Sequence, residues 1–388
     1  MGKHLVLVGA GHAHLTTITA IPSLVKRGHR VTVVGPDTYH YYSGMAPGML
    51  AGIYRPQEVR FNVRRTVTGR GGRFVQDRAV GIDPQSREIK LETGQVLSFD
   101  IASFNVGSVI PTGGIRTGGE GVFTVKPIER TLDCRMAILE VLAGPPSPEP
   151  LPLVVVGGGP AGVEMAGALW RLLAEAGGEG SITLLAGRGL LEGHHPRVVA
   201  LARQSLRQRG IEVREGARAV SVGGGEAVLD DGSSVRARFA LVAVGVKPSP
   251  LFMDSLVPTA EDGGLLVNRY LQSVQYPTIF GGGDCITIRG VPLARVGVYA
   301  VRQNPVLLNN LAAALEDKPL QPFDPGSPSF LFILNMGDGR GILKKGSLVF
   351  GGRAAFRFKD FIDRRFMRKF QLSGELAEPL GGGPGEDV

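Results

Sequence analysis

Cysteine is almost missing from this chain. Cys134 and Cys285 are the only two in 388 residues, far apart, which excludes a disulfide framework or a Cys-based zinc site and points to a reducing, cytosolic compartment. Long apolar runs free of glycine and charge are also lacking. The start, MGKHLVLVGAGHAHL, offers only Leu5 to Val8 before glycines intervene, so it reads as a buried strand rather than a signal peptide. Leu151 to Trp170 is long enough to span a bilayer but carries Glu164 and five glycines, which suits strand, turn and helix better. His12 and His14, and the adjacent His194 and His195, lack carboxylate or cysteine partners at ligand spacing, so they read as loop histidines and no metal site is expected. The net charge of +8 is concentrated locally: Arg353 to Phe370 holds seven Lys or Arg against Asp360 and Asp363. No RRM, KH or zinc-finger signature accompanies it, and no nucleic-acid partner is expected.

Glycine is what the chain has in excess. Its 57 glycines are about twice the usual share of roughly 7%, and so many must serve tight turns and close backbone approaches. Two segments use them alike. LVLVGAGHAHL from Leu5 and LVVVGGGPAGVEMAGAL from Leu153 each run from a β-branched stretch through glycines into a helical stretch. Each then leads to another apolar run, at Arg30 to Val34 and Ser181 to Leu185. That is βαβ written twice, and it predicts an α/β chain with parallel sheets covered on both faces. Shorter strand-like runs follow each unit in the same order, so the halves look like copies of one architecture.

A βα turn that seats a pyrophosphate needs glycine where the backbone turns, where it touches phosphate, and where helix packs on strand. Gly157, Gly159 and Gly162 satisfy all three positions. The first turn has Gly9 and Gly11 but His14 third, which forces the helix outward or the imidazole aside. An acidic residue closing the second strand would hold an adenosine ribose; in the first half the nearest candidate is Asp37. In the second half Leu185 is followed by Ala186, Gly187 and Arg188, and Arg188 tilts the reading towards NADPH unless it is simply a solvated loop arginine.

Taken in order, GAGHAH at Gly9, FDIASFNVGS ending near Gly107 and Ser108, GGGPAGVEMAG at Gly157 and YPTIFGGGDC ending at Asp284 and Cys285 resemble the two-dinucleotide-binding flavoproteins. That superfamily includes pyridine nucleotide-disulfide oxidoreductases, type II NADH dehydrogenases and sulfide:quinone reductases. Within it, VGAGHAHL, YYSGMAPGMLAG, VKPIER and KDFIDRRFMRKFQ look most like the flavoprotein module found alone or fused to selenophosphate synthase. The resemblance covers about residues 3 to 315. It implies two Rossmann-like domains, an FAD-binding one from residues 1–112 and 247–320 and an NAD(P)H-binding one inserted at 113–246. A C-terminal region at 321–372 and a disordered tail at 373–388 follow. Carried over by position, Gly9, Gly11, His12, His14, Asp37, Gly107, Gly283 and Asp284 face FAD, and Arg295 and Val298 flank a helix start near the flavin. Gly157, Gly159, Gly162, Arg188 and Gly245 face NADH or NADPH. Glu164 and Gln303 are the catalytic candidates, Glu164 by matching a nicotinamide-contacting glutamate, although a carboxylate also suits the first turn of any helix.

The resemblance implies hydride transfer from nicotinamide to flavin. No CxxC or CxxxxC pair is present, so electrons are expected to leave to a diffusible acceptor such as a quinone. The alternative is a flavin redox sensor or electron-transfer partner with low turnover, linked to selenium or sulfur metabolism. In the basic C-terminal segment Ile362, Phe366 and Phe370 repeat at spacing four beside Met367. That stripe suits an anionic membrane surface, the FAD domain or a dimer interface equally. A cytoplasmic homodimer, peripheral on the inner membrane face if the helix binds lipid, is the family expectation.

Overall fold

The β-branched run His4–Val8 forms the centre of a five-stranded parallel sheet. Its order is Ile279–Gly281, Ile101–Phe104, His4–Val8, Arg30–Gly35 and Arg73–Gln76. Leu5, Val6 and Leu7 are fully buried, as both faces of a parallel sheet demand. This computed structural model describes residues 2–111, 114–145, 147–327 and 329–378. The edge strand Ile279–Gly281 comes from far along the chain, because a second sheet intervenes. That sheet is also parallel and five-stranded, in the order Val122–Thr124, Phe239–Val242, Leu151–Val156, Gly180–Ala186 and Glu212–Glu215. Ser108–Val109 pairs antiparallel with Lys247–Pro248 where the chain passes between the two. The α/β architecture expected from the repeated pattern is therefore present.

The helices after the two glycine turns differ. Pro160–Ala176 is continuous over 17 residues and ends at Gly177, whose φ of 65° is the left-handed geometry of a glycine cap. Its counterpart is broken into Leu15–Thr19 and Ile21–Lys26. Pro22, with no N–H to donate, lies at the break.

The C-terminal helix Arg353–Phe370 follows a three-stranded antiparallel sheet. Met367 and Phe370 pack with Leu15, Tyr41, Met45 and Phe61 of the first unit, so the fold itself takes up much of the expected stripe. The tail expected to be disordered from 373 is not so over 373–378. Glu375 accepts the Asn62 backbone N–H at 3.0 Å, and Glu378 pairs with Arg60 at 2.7 Å, the two side chains only 6% and 8% exposed. These partners lie more than 300 residues away, so no local pattern announces them. Residues 379–388 lie outside the described residues. Among the described residues no helix is long and apolar enough to cross a membrane.

Candidate active site

The second glycine turn divides its tasks as the spacing requires. Gly157 has φ 128°, and a methyl group there would lie 2.5 Å from the Ala243 carbonyl oxygen. At Gly162 a methyl group would lie 1.7 Å from the Gly157 carbonyl oxygen, so only glycine allows helix and strand to meet. At Gly159 it would meet nothing within 4 Å. Gly159 caps the helix and Pro160 opens it, leaving unpaired N–H groups directed past that open side. The turn faces a cleft of about 940 Å3 whose wall includes Glu164, Arg188, Gly245 and Lys126. Val296 and Gly297, where helix Gly297–Leu315 begins, also line it. Val298 lies half-buried in the first turn of that helix.

The first turn is organised around a residue that motif reading missed, Asn105. A methyl group at Gly9 or at Gly11 would lie 2.4 Å from its backbone or side-chain oxygen. Asn105 accepts the Ala13 N–H at 2.9 Å and donates to the Gly282 carbonyl at 2.6 Å, clipping this turn to the loop of Gly283 and Asp284. One expected role changes here. His14 does not face a ligand: it is fully buried, with Nδ1 2.6 Å from the Gly9 carbonyl oxygen and Nε2 2.8 Å from the Ser103 hydroxyl. The imidazole thus fills the space that a third glycine would leave to close packing. Gln303, expected to be catalytic, is buried, accepts the Gly283 N–H at 2.6 Å and lines a cavity of about 430 Å3 together with Asp284 and Arg295. Asp37 stands exposed beyond the strand end, and Gly107, at φ 72°, turns the chain towards Ser108.

Asp284 is the meeting point of the two units. Lys126, from the second, donates to its carboxylate at 3.0 Å, and the Ser108 hydroxyl donates at 2.8 Å. Burial works to raise this carboxyl, but the charge and hydrogen bond of Lys126, with Ser108 and His12, hold it below the usual carboxylate range. Arg295 braces the loop from behind, with Nε donating to the Asp284 carbonyl at 2.9 Å and Nη2 to Asp262 at 2.7 Å.

Beside this group His12 stacks on Phe366 at 5.6 Å and stands edge-on to His40 at 5.5 Å. Burial lowers His12 to about 4; burial, together with His12 and Lys126, lowers His40 to about 3. Both rings are therefore neutral at physiological pH, and the Nε2 of each is buried without a protein partner. His12 was legible as part of the turn, whereas His40 was not: it lies outside the glycine motif and only folding brings it there.

Glu164 sits on the cleft wall and accepts the Asn335 N–H at 2.7 Å. Burial pushes its carboxyl up to about 7 despite Lys359 and the Asn335 N–H, with Asp363 adding to the rise. Lys359 donates to Asp363 and to the Gly44 carbonyl, both at 2.7 Å, and the Tyr42 hydroxyl donates to Asp363 at 3.0 Å. Glu164 so raised binds a proton in the folded chain that the unfolded chain releases. Between the ordinary value of 4.5 and about 7, stability must therefore fall as pH rises, by up to ~3 kcal/mol from this group. Glu164→Gln should flatten that decline. Urea midpoints of the two proteins should diverge in the variant's favour from about pH 5 to about pH 8, and a constant difference would remove Glu164 as a neutral-range group.

The open side of Gly159, and the cavity of about 430 Å3 bordered by Gly283 and Asp284, suit two bound dinucleotides. Residues 3–302 match the pyridine nucleotide-disulphide oxidoreductase family. A type II NADH:quinone oxidoreductase of Staphylococcus epidermidis is 25% identical over 395 residues, covering 95% of this chain and 96% of that protein. Ferroptosis suppressor protein 1 of Taeniopygia guttata is 27% identical over 361 residues, 87% of each chain. The fold is shared with NDH2 from Plasmodium falciparum in complex with NADH, at TM-score 0.77 and 15% identity over 98% of this chain and 100% of that one. It is shared equally with the sulfide:quinone oxidoreductase of Aquifex aeolicus, at TM-score 0.77 and 17% identity over 97% and 93%. The chain belongs to the pyridine nucleotide-disulphide oxidoreductase family, whose cofactors are FAD and NADH or NADPH.

Proposed function

We propose that this protein oxidises NADH or NADPH through FAD and delivers the electrons to a diffusible acceptor, a quinone by analogy with its type II relatives. The observation that carries the reading is the one cleft lined together by Gly159, Glu164, Lys126 and the helix start at Val296 and Gly297. FAD, when bound, supplies the relay that accepts a hydride and passes on two electrons. The chain's residues supply binding and proton control. Gly157, Gly159 and the start of helix Pro160–Ala176 hold the nicotinamide pyrophosphate. Gly9, Gly11, Gly283 and Asp284 form the FAD side, with His12 at its edge. Lys126 keeps Asp284 ionised, and the positive end of helix Gly297–Leu315 favours negative charge in the cleft. The Glu164 carboxyl holds a proton below about pH 7 and can exchange it at the cleft wall.

Cysteine chemistry supports a diffusible acceptor. Both thiols are buried and pushed up by burial to about 12, and that of Cys285 donates to the Gly282 carbonyl at 3.3 Å. Neither suits dithiol exchange. Anaerobic mixing of the purified yellow protein with NADH or NADPH should bleach its visible absorption, and a soluble quinone should restore it. No bleaching by either nucleotide would overturn the proposal, and bleaching without turnover would leave the redox sensor.

The exposed face of the C-terminal helix carries Phe358 and Phe361, 45% and 53% exposed, among the exposed Arg357, Arg365 and Arg368. We place a peripheral contact with anionic lipid on this face, not on the inward stripe. Phe358→Ser with Phe361→Ser should abolish flotation with anionic vesicles; equal flotation of the two proteins would end the idea. Deleting the helix would not be a fair test, because Met367 and Phe370 belong to the core.

A further inference from the structure

Strand Gly180–Ala186 runs into Gly187 and Arg188, where an Asp or Glu at the strand end would hold the adenosine 2′-hydroxyl of NADH. The two carboxylates that the fold brings near the strand end, Glu215 and Glu192, are both paired with arginines. Glu215, the register partner of Ala186, accepts the Leu190 N–H at 3.0 Å with one oxygen and the Arg203 guanidinium with the other. Its carboxylate is committed to holding the loop. Two guanidinium groups stand at the strand end instead. Arg188 is 79% exposed and, among the described residues, its ion-pair partner is Glu192, at 3.3 Å. Arg218 is exposed and has no ion-pair partner among the described residues. A methyl group at Gly187 would lie 3.3 Å from the Arg218 Cα, so the smallness of Gly187 lets the Arg218 backbone lie against the strand end, next to Arg188. Both arginines and Glu192 line the same cleft as Gly157 and Gly159.

Resting on the NAD(P)H reading of that turn, we propose that Arg188 and Arg218 clamp the 2′-phosphate of the adenine nucleotide, so that the protein selects NADPH over NADH. A guanidinium presents a planar fork that matches phosphate oxygens, and two such forks match a dianion. The phosphate takes the place of Glu192 as the partner of Arg188, and it gives Arg218 the anion it lacks. The 2′-hydroxyl of NADH offers these cations one neutral acceptor, and it can donate a hydrogen bond to Glu192, which the same cleft wall carries.

Binding of adenosine 2′,5′-bisphosphate and of 5′-AMP to the FAD-loaded full-length protein separates the possibilities by calorimetry. The bisphosphate should bind at least about tenfold tighter than 5′-AMP, each charge-assisted phosphate contact being of that order. Arg188→Ala combined with Arg218→Ala should bring the two affinities together while leaving that for 5′-AMP within about twofold. Glu192→Gln should tighten the bisphosphate alone, because Arg188 loses its competing partner. In steady state the ratio of KM for NADPH to KM for NADH should follow the fragment affinities across these variants. Equal binding of the two fragments by the parent protein, or tighter 5′-AMP, would overturn the clamp alone. Binding of neither fragment would overturn the nucleotide reading of the second turn and the clamp with it.

Discussion

Gly162→Ala should unfold the nicotinamide side of the molecule or prevent it from forming. The added methyl group would lie 1.7 Å from the Gly157 carbonyl oxygen, and the colliding atom is backbone, which no rotamer change can move. Helix Pro160–Ala176 must then lift off strand Leu151–Val156, against a core that includes Val163, Ala166 and Leu184. Overpacking of this kind costs about 3 kcal/mol or more. Thermal unfolding of Gly162→Ala should begin well below that of the parent, with NADPH and NADH binding lost together. The comparison that gives this result its meaning is Gly159→Ala. Nothing lies within 4 Å of that position and its φ of −76° suits alanine, so stability should stay within about 0.5 kcal/mol of the parent. Nucleotide affinity should nevertheless fall at least about tenfold, because the methyl group occupies the side left open for phosphate. Equal loss of stability in both variants would show that the two glycines share one packing role.

Lys359→Met should be nearly as damaging, through electrostatics. The Lys359 and Asp363 side chains are 12% and 6% exposed. Removing the ammonium leaves the Asp363 carboxylate buried with the Tyr42 hydroxyl at 3.0 Å as its remaining side-chain partner. Breaking a buried pair from one side costs about 3–5 kcal/mol. Exchanging both partners, Lys359→Met with Asp363→Leu, should recover most of that loss, since no unpaired charge then remains. The single variant should also move Glu164. Lys359 is the chief influence opposing the rise of its carboxyl, so without it the carboxyl must climb beyond about 7. The pH at which turnover changes should shift upward in Lys359→Met, and a profile that stays put would separate the Lys359 cluster from the chemistry.

The inward turn of the C-terminal helix shows why periodicity alone misleads about partners. Spacing four at Ile362, Phe366 and Phe370 correctly marked an apolar face. It could not say that Phe366 would stack on His12 or that Phe358 and Phe361 would remain outside. His14 shows the same limit at a turn. Its identity signalled a departure from three-glycine packing, while its hydrogen bond to Ser103 depends on a neighbouring strand 89 residues away.

The sequence by itself determined the two parallel sheets, the two glycine turns and the close approach of Gly162 to Gly157, because strand period and the sterics within one turn are local properties of a few consecutive residues. Only the tertiary structure decided that Asn105 clips the first turn, that Lys126 holds Asp284 from 158 residues away, and that Glu164 titrates near neutrality beside Lys359. Those facts arise from burial and from charges brought together across the chain, and neither exists until the two units have packed.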